Sequence, residues 1–552
     1  MHQLSRRDLL RGTAGLAGVA AFTLAGCGDD GGPKDSKDLS KNKVGAMDNF
    51  GVGTAFKASK PLKFSIAILS NPAYPYKPDW KFWSELTNRT NVSFEPTVVP
   101  LSDYNQKRSV MISGGNAPTI IPKTYHPQEG EYIASGAILP VSDYLDLMPN
   151  LKDKVAKWNL QGNLDLYRQS DGKFYLLPGL HEAPWHEYSL AARTDVLQKL
   201  GIATPQTWDD VHAMLKKIKA AYPDRYPMSD RWSNPPGPGA NNLLGILGWA
   251  HGTYAGWRWE STHWDDGAKK FVYSGAMDQY KQTVQFLNTL VAEKLLDPES
   301  FTQKDEDARA KFAAGKSFVI SSNAQSLVNE YRKDIAKVPG ATVAKIPLPV
   351  GPVGPLLDGG TRLENGLMIS SKARNSENFV AMMQFIDWLW YSDEGQMFAR
   401  WGIKDQTYTG SVDDGSFKLA SEVDWAGLNP GAPKALNADY GFQNGVFAYG
   451  GSTKLLNSQF PKEEQEYQAL LNQRKAAPLP PPKPLTPDER EQTALWESGL
   501  KDHVEQQTLK FILGERSLSE WDAYVNELKG KNMDRLLDVV NKAYERYQKE
   551  HG

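Results

Sequence analysis

Short runs of apolar residues alternate along this chain with longer segments in which apolar positions recur every three or four residues. Leu62 to Leu69 is apolar enough to be a buried strand, bounded by Pro61 and the Asn71-Pro72 turn. Asp79 to Arg89 carries Trp80, Trp83 and Leu86 at helical spacing, and Asn91 to Glu95 reads as a second strand. Ser102 to Ile112 follows as a helix with Ser102 or Asp103 as N-cap, and Thr119 to Ile121 starts a third strand. This order predicts an α/β domain with a largely parallel sheet and crossover helices.

The pattern then changes and resumes. Phe174 to Leu177 is a strand that Pro178 and Gly179 should break, followed by a polar and aromatic crossing, His181 to Tyr188. Ser189 to Ala192 is the next strand and feeds a short helix ended by Gly201. A strand, an exposed crossing and a strand are expected where a chain leaves one lobe for another, and a groove between lobes is a common ligand site. Helices are predicted over Trp208–Tyr222 (capped by Thr207), Asp278–Lys294, Lys304–Ala314 and Asn375–Ser392, the last with an apolar face whose aromatics belong in a core. Strands are predicted at Phe318–Ile320, Val343–Val350 and Gly366–Ile369. Pro227 to Trp264 is rich in Gly and Pro and holds Trp232, Trp249, Trp257, Trp259 and Trp264. A proline-rich strap over 478–487 precedes a helical C-terminus, Asp488–Phe511 and Ser519–Gln548, broken near Gly530.

Length and charge narrow the classes. The 552 residues suggest roughly 2–4 domains, and a net charge of −2 argues against a nucleic-acid partner. Ser5-Arg6-Arg7-Asp8-Leu9-Leu10-Arg11 resembles a twin-arginine export motif. The apolar run Gly12–Ala25 is too short to span a bilayer and fits a signal sequence. It ends in Leu24-Ala25-Gly26-Cys27, which matches a lipobox, and Cys27 is the only cysteine. Acylation of Cys27 is the expected role, the alternative being a plain secretory signal with a coincidental cysteine. Residues 27–60 are expected to be a flexible tether, with the globular part starting near Pro61. No other apolar stretch approaches 18 residues, so the body is expected to be extracytoplasmic and held at the cell membrane by its lipid.

A family resemblance runs through the folded body. It is carried by Ser113-Gly114-Gly115-Asn116-Ala117-Pro118-Thr119-Ile120-Ile121, Ser135 to Val141, Asp171-Gly172-Lys173-Phe174-Tyr175, Arg193-Thr194-Asp195-Val196-Leu197 and Pro205-Gln206-Thr207-Trp208-Asp209. It continues in Phe385-Ile386-Asp387-Trp388-Leu389-Trp390, Gly402-Ile403-Lys404 and Asn541 to Tyr547. The chain resembles the lipoprotein solute-binding subunits of ABC importers for oligosaccharides, of the aldouronate-transport type, related to maltose- and alginate-oligosaccharide-binding proteins. The resemblance implies an α/β, two-lobe periplasmic-binding-protein-like fold with hinge-linked lobes and a helical C-terminal extension. The expected divisions are a signal peptide at 1–26, a tether at 27–60, a first lobe from 61–182, a second from 183–362, and a return to both over 363–552. The expected partners are an oligosaccharide or related glycoside and a membrane permease served by a separate ATPase. No cofactor and no catalytic residue are expected, and the protein is expected to be monomeric. Alginate-binding relatives carry a calcium loop of alternating Asp and Asn, which Asp171-Gly172 and Asp413-Asp414-Gly415 do not reproduce, so no metal is expected.

Sugar recognition needs an aromatic ring for the C–H face of each unit and planar polar groups for its hydroxyls. The crossing offers Glu182, Trp185 and His186, with His181 beside them. Glu182 falls where maltose-type proteins place a sugar-binding carboxylate. Tyr125 and His126 follow the third strand, and Asn71 the first, at the sheet edge where α/β proteins bind ligands. Trp249 and Trp257 are candidate stacking platforms, Arg362 and Arg258 candidate partners for a uronate carboxylate or ordinary salt bridges, and Trp401 a loop residue within reach of the cleft. Two other classes stay open on sequence grounds. One is an exported glycoside hydrolase or lyase using acidic residues such as Glu182, Glu187 and Asp195. The other is a lipid-anchored sensor or adhesin using the same cleft.

Overall fold

The computed structural model describes residues 38–72, 74–231, 241–358 and 362–551. The export motif, Cys27, most of the expected tether and Trp232 lie outside the described residues. Two main sheets are built from β1 (Leu62–Ser70), β2 (Val92–Pro100), β3 (Ile120–Thr124), β4 (Leu177–Leu180), β5 (Ser189–Arg193), β6 (Val319–Ser322), β7 (Val343–Lys345) and β8 (Leu363–Ile369).

The first sheet has the order β2-β1-β3-β8-β4. β1 runs parallel to β2 from Leu62↔Val92 to Ser70↔Pro100 and parallel to β3. Ile66, Ala67 and Ile68 are fully buried, as a strand covered on both faces requires. The expectation of a largely parallel sheet holds only for this half. β8 pairs antiparallel with both β3 and β4, because the chain returns from the second sheet in the opposite direction. The second sheet, β6-β5-β7, is antiparallel throughout.

β4 corrects the sequence reading. Phe174 to Leu176 is irregular, and the strand contains Pro178 and Gly179 instead of stopping at them. β4 is an edge strand paired only with β8, so the missing N–H of Pro178 is tolerated. Gly179 permits close approach: a Cβ there would lie 2.7 Å from Cγ of Glu364 and 2.9 Å from the Tyr449 ring. The helix Tyr104–Ser113 is entered through a 3₁₀ turn, Leu101–Asp103, and neither Ser102 nor Asp103 caps it with its side chain. Thr207 does cap Trp208–Ala221, in a reciprocal capping box with Asp210. The Gly- and Trp-rich stretch hides a helix, Asn242–His251, capped by the Asn241 side chain accepting from Leu244 N–H and closed by Gly252 at φ 85°.

The expected tether ends early. Residues 41–60 pack on the body: Asn42 Nδ2 donates to Arg374 and Ser376 carbonyls, Met47 and Gln384 exchange two hydrogen bonds, and Phe56 is buried edge-on to Phe385 at 5.8 Å. Phe50 and Phe56 give this segment the apolar area that a tether lacks.

Each sheet carries its own core. Around the second, Leu190, Trp208, Val211, Leu215, Leu243, Leu247, Val284 and Leu287 join Val504, Phe511, Trp521, Tyr524 and Leu536 of the C-terminal helices. The helical extension (Pro487–Leu513, Trp521–Gly530 and Met533–His551) is thus part of the second core, with the Tyr280 hydroxyl 2.8 Å from that of Thr508. Among the described residues the chain passes between the sheets three times, the third over a passage that holds Gly451, Lys475 and Ala476. The first crossing is His181–Tyr188. The second runs from β7 to β8, and its Leu356–Leu357 pairs in parallel with Lys475–Ala476 of the third. His181 also bridges to Gly451 of that third passage.

Asp387 ties the long helix Phe379–Tyr391 to the start of Pro149–Lys157. Its fully buried carboxylate accepts from the backbone N–H groups of Asn150 and Leu151 and from the Asn150 amide, all at 2.8–2.9 Å. Burial pushes its pKa up to about 6, against the pull of those donors and of Lys154. Asp387→Ala would leave three buried donors without an acceptor, and urea denaturation should show a loss of about 2–4 kcal/mol.

Candidate ligand site

Two edges face the crossings. On the first sheet, β1, β3 and β8 bring Asn71, Tyr74, Lys123, Tyr125 and Glu364 to one end. Tyr74 receives hydrogen bonds from the Asn71 side chain and the Gly445 backbone, which oppose the rise in its pKa caused by burial. Lys123, the residue before the end of β3, is in a left-handed conformation, φ 57°, and its Nζ lies where a Cβ on Gly445 would be 3.0 Å away. Burial lowers its pKa, and Glu364 opposes this. The Glu364 carboxylate meets His181 Nε2 at 2.5 Å. Burial disfavours its charge, but His181, Arg400 and Lys123 outweigh burial and hold its pKa below the usual range. Tyr125 is 52% exposed. Desolvation first, then the negative charge of Glu364, with Tyr74 and Glu187 behind it, push its hydroxyl pKa up.

On the second sheet's side stand Tyr188, Asn323 and Trp257. Asn323 follows β6 and hydrogen-bonds the Tyr188 hydroxyl while capping the next turn through Ser326 N–H. Trp257, 45% exposed, packs at 5.2 Å against Tyr188. Gly245 makes room for it, since a Cβ there would come within 2.8 Å of the indole. Tyr125 and Trp257 are the two aromatics among the exposed large apolar side chains of the described residues, one from each side.

The crossing itself is pinned. Arg362 donates to the carbonyls of Trp158 at 2.6 Å and Glu182 at 2.7 Å and approaches that of His181 at 3.4 Å, while His181 N–H donates to the Arg362 carbonyl. Trp185 is half-buried, stacked on Phe460 at 5.3 Å and donating to Glu187 at 3.0 Å.

Of the residues read from the sequence, Asn71 and Tyr125 stand at the end of the first sheet, Trp257 stands on the second sheet's side and Trp185 lies on the first crossing. His126 lies behind Tyr125, stacked at 4.2 Å on Tyr167 and bonded to buried Glu129. The remaining candidates are engaged by other groups of the protein, and for Arg258 the salt-bridge alternative is the one observed. Glu182 is exposed and accepts from Thr453 N–H at 2.7 Å, at the start of the short helix Thr453–Asn457 that Ser452 caps. His186 is interior; burial, then Arg258 and Arg474, lower its pKa to about 3, so the imidazole is neutral. Arg362 is occupied by backbone carbonyls, and Arg258 pairs with Asp358 beneath Trp249 and Trp257. Trp249 is partly buried and donates to the Leu356 carbonyl at 3.2 Å. Trp401 ends the helix Asp393–Trp401, is fully buried and donates to Ser458 at 2.9 Å, so it is core and not a loop residue. Lys123, Glu364, Tyr74, Tyr188 and Asn323 were missed, although Lys123 and Asn323 each sit at a strand end that the sequence pattern does locate. Among the described residues no cluster of His, Cys, Asp or Glu is arranged to hold a metal, and no helix is long and apolar enough to cross a membrane.

Two sheets joined by three crossings, with aromatic and planar polar groups at facing edges, define a protein that encloses a solute. The match of residues 74–397 shows that the chain belongs to the bacterial extracellular solute-binding protein family. It is similar to the fructooligosaccharide ABC transporter substrate-binding protein FusA of Streptococcus pneumoniae, 25% identical over 97% of this chain and 98% of that one. It is also similar to the polygalacturonan/rhamnogalacturonan-binding protein YtcQ of Bacillus subtilis, 22% identical over 50% of this chain and 52% of that one. The crystal structure of alginate-binding protein AlgQ2 without calcium ion shares the fold, with a TM-score of 0.65 and 17% identity over 89% of this chain and 99% of that one.

The geometry separates wall residues from core. Tyr125→Ala and Trp257→Ala should each change folding stability by no more than about 0.5–1 kcal/mol, whereas Trp401→Ala should cost about 3–5 kcal/mol. Chemical denaturation of the three variants measures both.

Proposed function

We propose that the protein is the ligand-capturing subunit of an ABC importer and holds an oligosaccharide between the two sheet edges. The observation that carries this reading is that the two exposed aromatics of the described residues stand one at the first sheet's end, near Glu364, and the other against Tyr188, which Asn323 holds. Each ring offers an apolar face to a sugar, and the neighbouring groups donate to and accept from hydroxyls that lose water on entry. Capture by both walls stabilises the closed form, which then docks on the permease; a separate ATPase supplies the energy. The sugar-binding names of its relatives support the same class of ligand. Acylation of Cys27 would hold the protein at the outer face of the cell membrane, and the protein acts as a monomer without chemistry of its own.

A panel of fructo-, galacturono- and malto-oligosaccharides, screened by thermal shift and then calorimetry, tests the reading. One class should bind stoichiometrically and be recovered intact by mass spectrometry; cleaved products would overturn it. Tyr125→Ala and Trp257→Ala should each weaken that binding at least tenfold, about 1.4 kcal/mol. Separately, Cys27→Ser should move the protein from the membrane fraction to the soluble extracytoplasmic fraction, and retention in membranes would refute the lipid anchor.

A further inference from the structure

A cavity of about 620 Å³, within the range of small-molecule sites, adjoins the first crossing. It is formed by the hairpin that pairs Tyr408–Thr409 with Lys418–Leu419 and by the helices Thr453–Asn457 and Lys462–Leu471. Phe460 connects it to the site above: it lines the cavity and stacks on Trp185 with an interplanar angle of 25°. Trp185 stands edge-on to His181 at 6.0 Å, and His181 holds Glu364. Glu364, His181, Trp185 and Phe460 are thus in successive side-chain contact, and the half-buried face of Trp185 lies between the first sheet's end and the cavity.

The lining has the chemistry of a sugar site. Phe417 and Phe460 supply aromatic surface, and Lys418, Lys454, Asn457 and Gln465 supply polar groups; no carboxylate is among the lining residues. Several are held in place: Lys454 Nζ donates to the Asp413 carbonyl at 2.8 Å and Gln465 Nε2 to that of Phe460 at 2.8 Å. None of this is needed to hold a short sugar between Tyr125 and Trp257.

We propose that this cavity is a distal subsite, which takes the far end of an oligosaccharide whose other units lie between Tyr125 and Trp257. The inference rests on the proposed function and narrows the ligand to a chain long enough to pass Trp185, ending in a unit rich in hydrogen-bond acceptors for the two lysines. The test compares a trisaccharide with a hexasaccharide of the fructo- and galacturono-series by calorimetry, on the wild type and on Lys454→Ala/Gln465→Ala. The wild type should bind the hexasaccharide at least about tenfold tighter. The double variant should lose most of that gain and keep its trisaccharide affinity. Ser421→Trp, which fills the exposed rim, should give the same selective loss. Trisaccharide binding with no length gain, a gain that survives both variants, or an equal loss for both lengths overturns the subsite and leaves the main site standing. No binding of either length in either series overturns both.

Discussion

The site depends on how one guanidinium anchors the first crossing. Arg362, just before β8, reaches back to the carbonyls of Trp158, His181 and Glu182, and its own carbonyl receives the His181 N–H. Three acceptors for one cation, in a partly desolvated setting, form a charge-assisted clasp. It joins the first and second passages between the sheets at one point. Glu364 lies two residues beyond Arg362 on β8, and Trp185 three residues beyond Glu182 on the crossing, so both side chains stand close to the clasp in the chain.

The electrostatics follow the same plan. Carboxylate Glu364 stays charged despite burial because His181, Arg400 and Lys123 surround it, whereas Lys123 is weakened as a cation by the same enclosure. Tyr125 and Tyr188, the phenols on opposite walls, are both pushed up and remain neutral donors. A wall of neutral phenols with one balanced ion pair suits a ligand made mainly of hydroxyls, which exchanges hydrogen bonds without bringing a compensating charge.

Local pattern was readable in the sequence and long-range closure was not. β1, the helices Trp208–Ala221 and Asp278–Ala292, and the core face of Phe379–Tyr391 follow from periodicity and caps. Pro178 and Gly179 misled because their tolerance depends on β4 being an edge strand, which only the pairing reveals. Tyr125 and Trp257 were accessible as candidates because they follow recognisable landmarks, a strand end and a Gly-rich stretch. The contacts of Trp401, Arg362 and Glu182 are illegible in the sequence for one shared reason: their partners Ser458, Trp158 and Thr453 are not their sequence neighbours, and nothing local announces them.

The central claim is that the two sheets move together on an oligosaccharide. In a Cys27→Ser background, spin labels on Val110→Cys and Val338→Cys, exposed positions on the first- and second-sheet sides, would report the separation directly. The account predicts that saturating the oligosaccharide identified by calorimetry shortens the label-to-label distance and narrows its distribution. An unchanged distance with the ligand bound would contradict it.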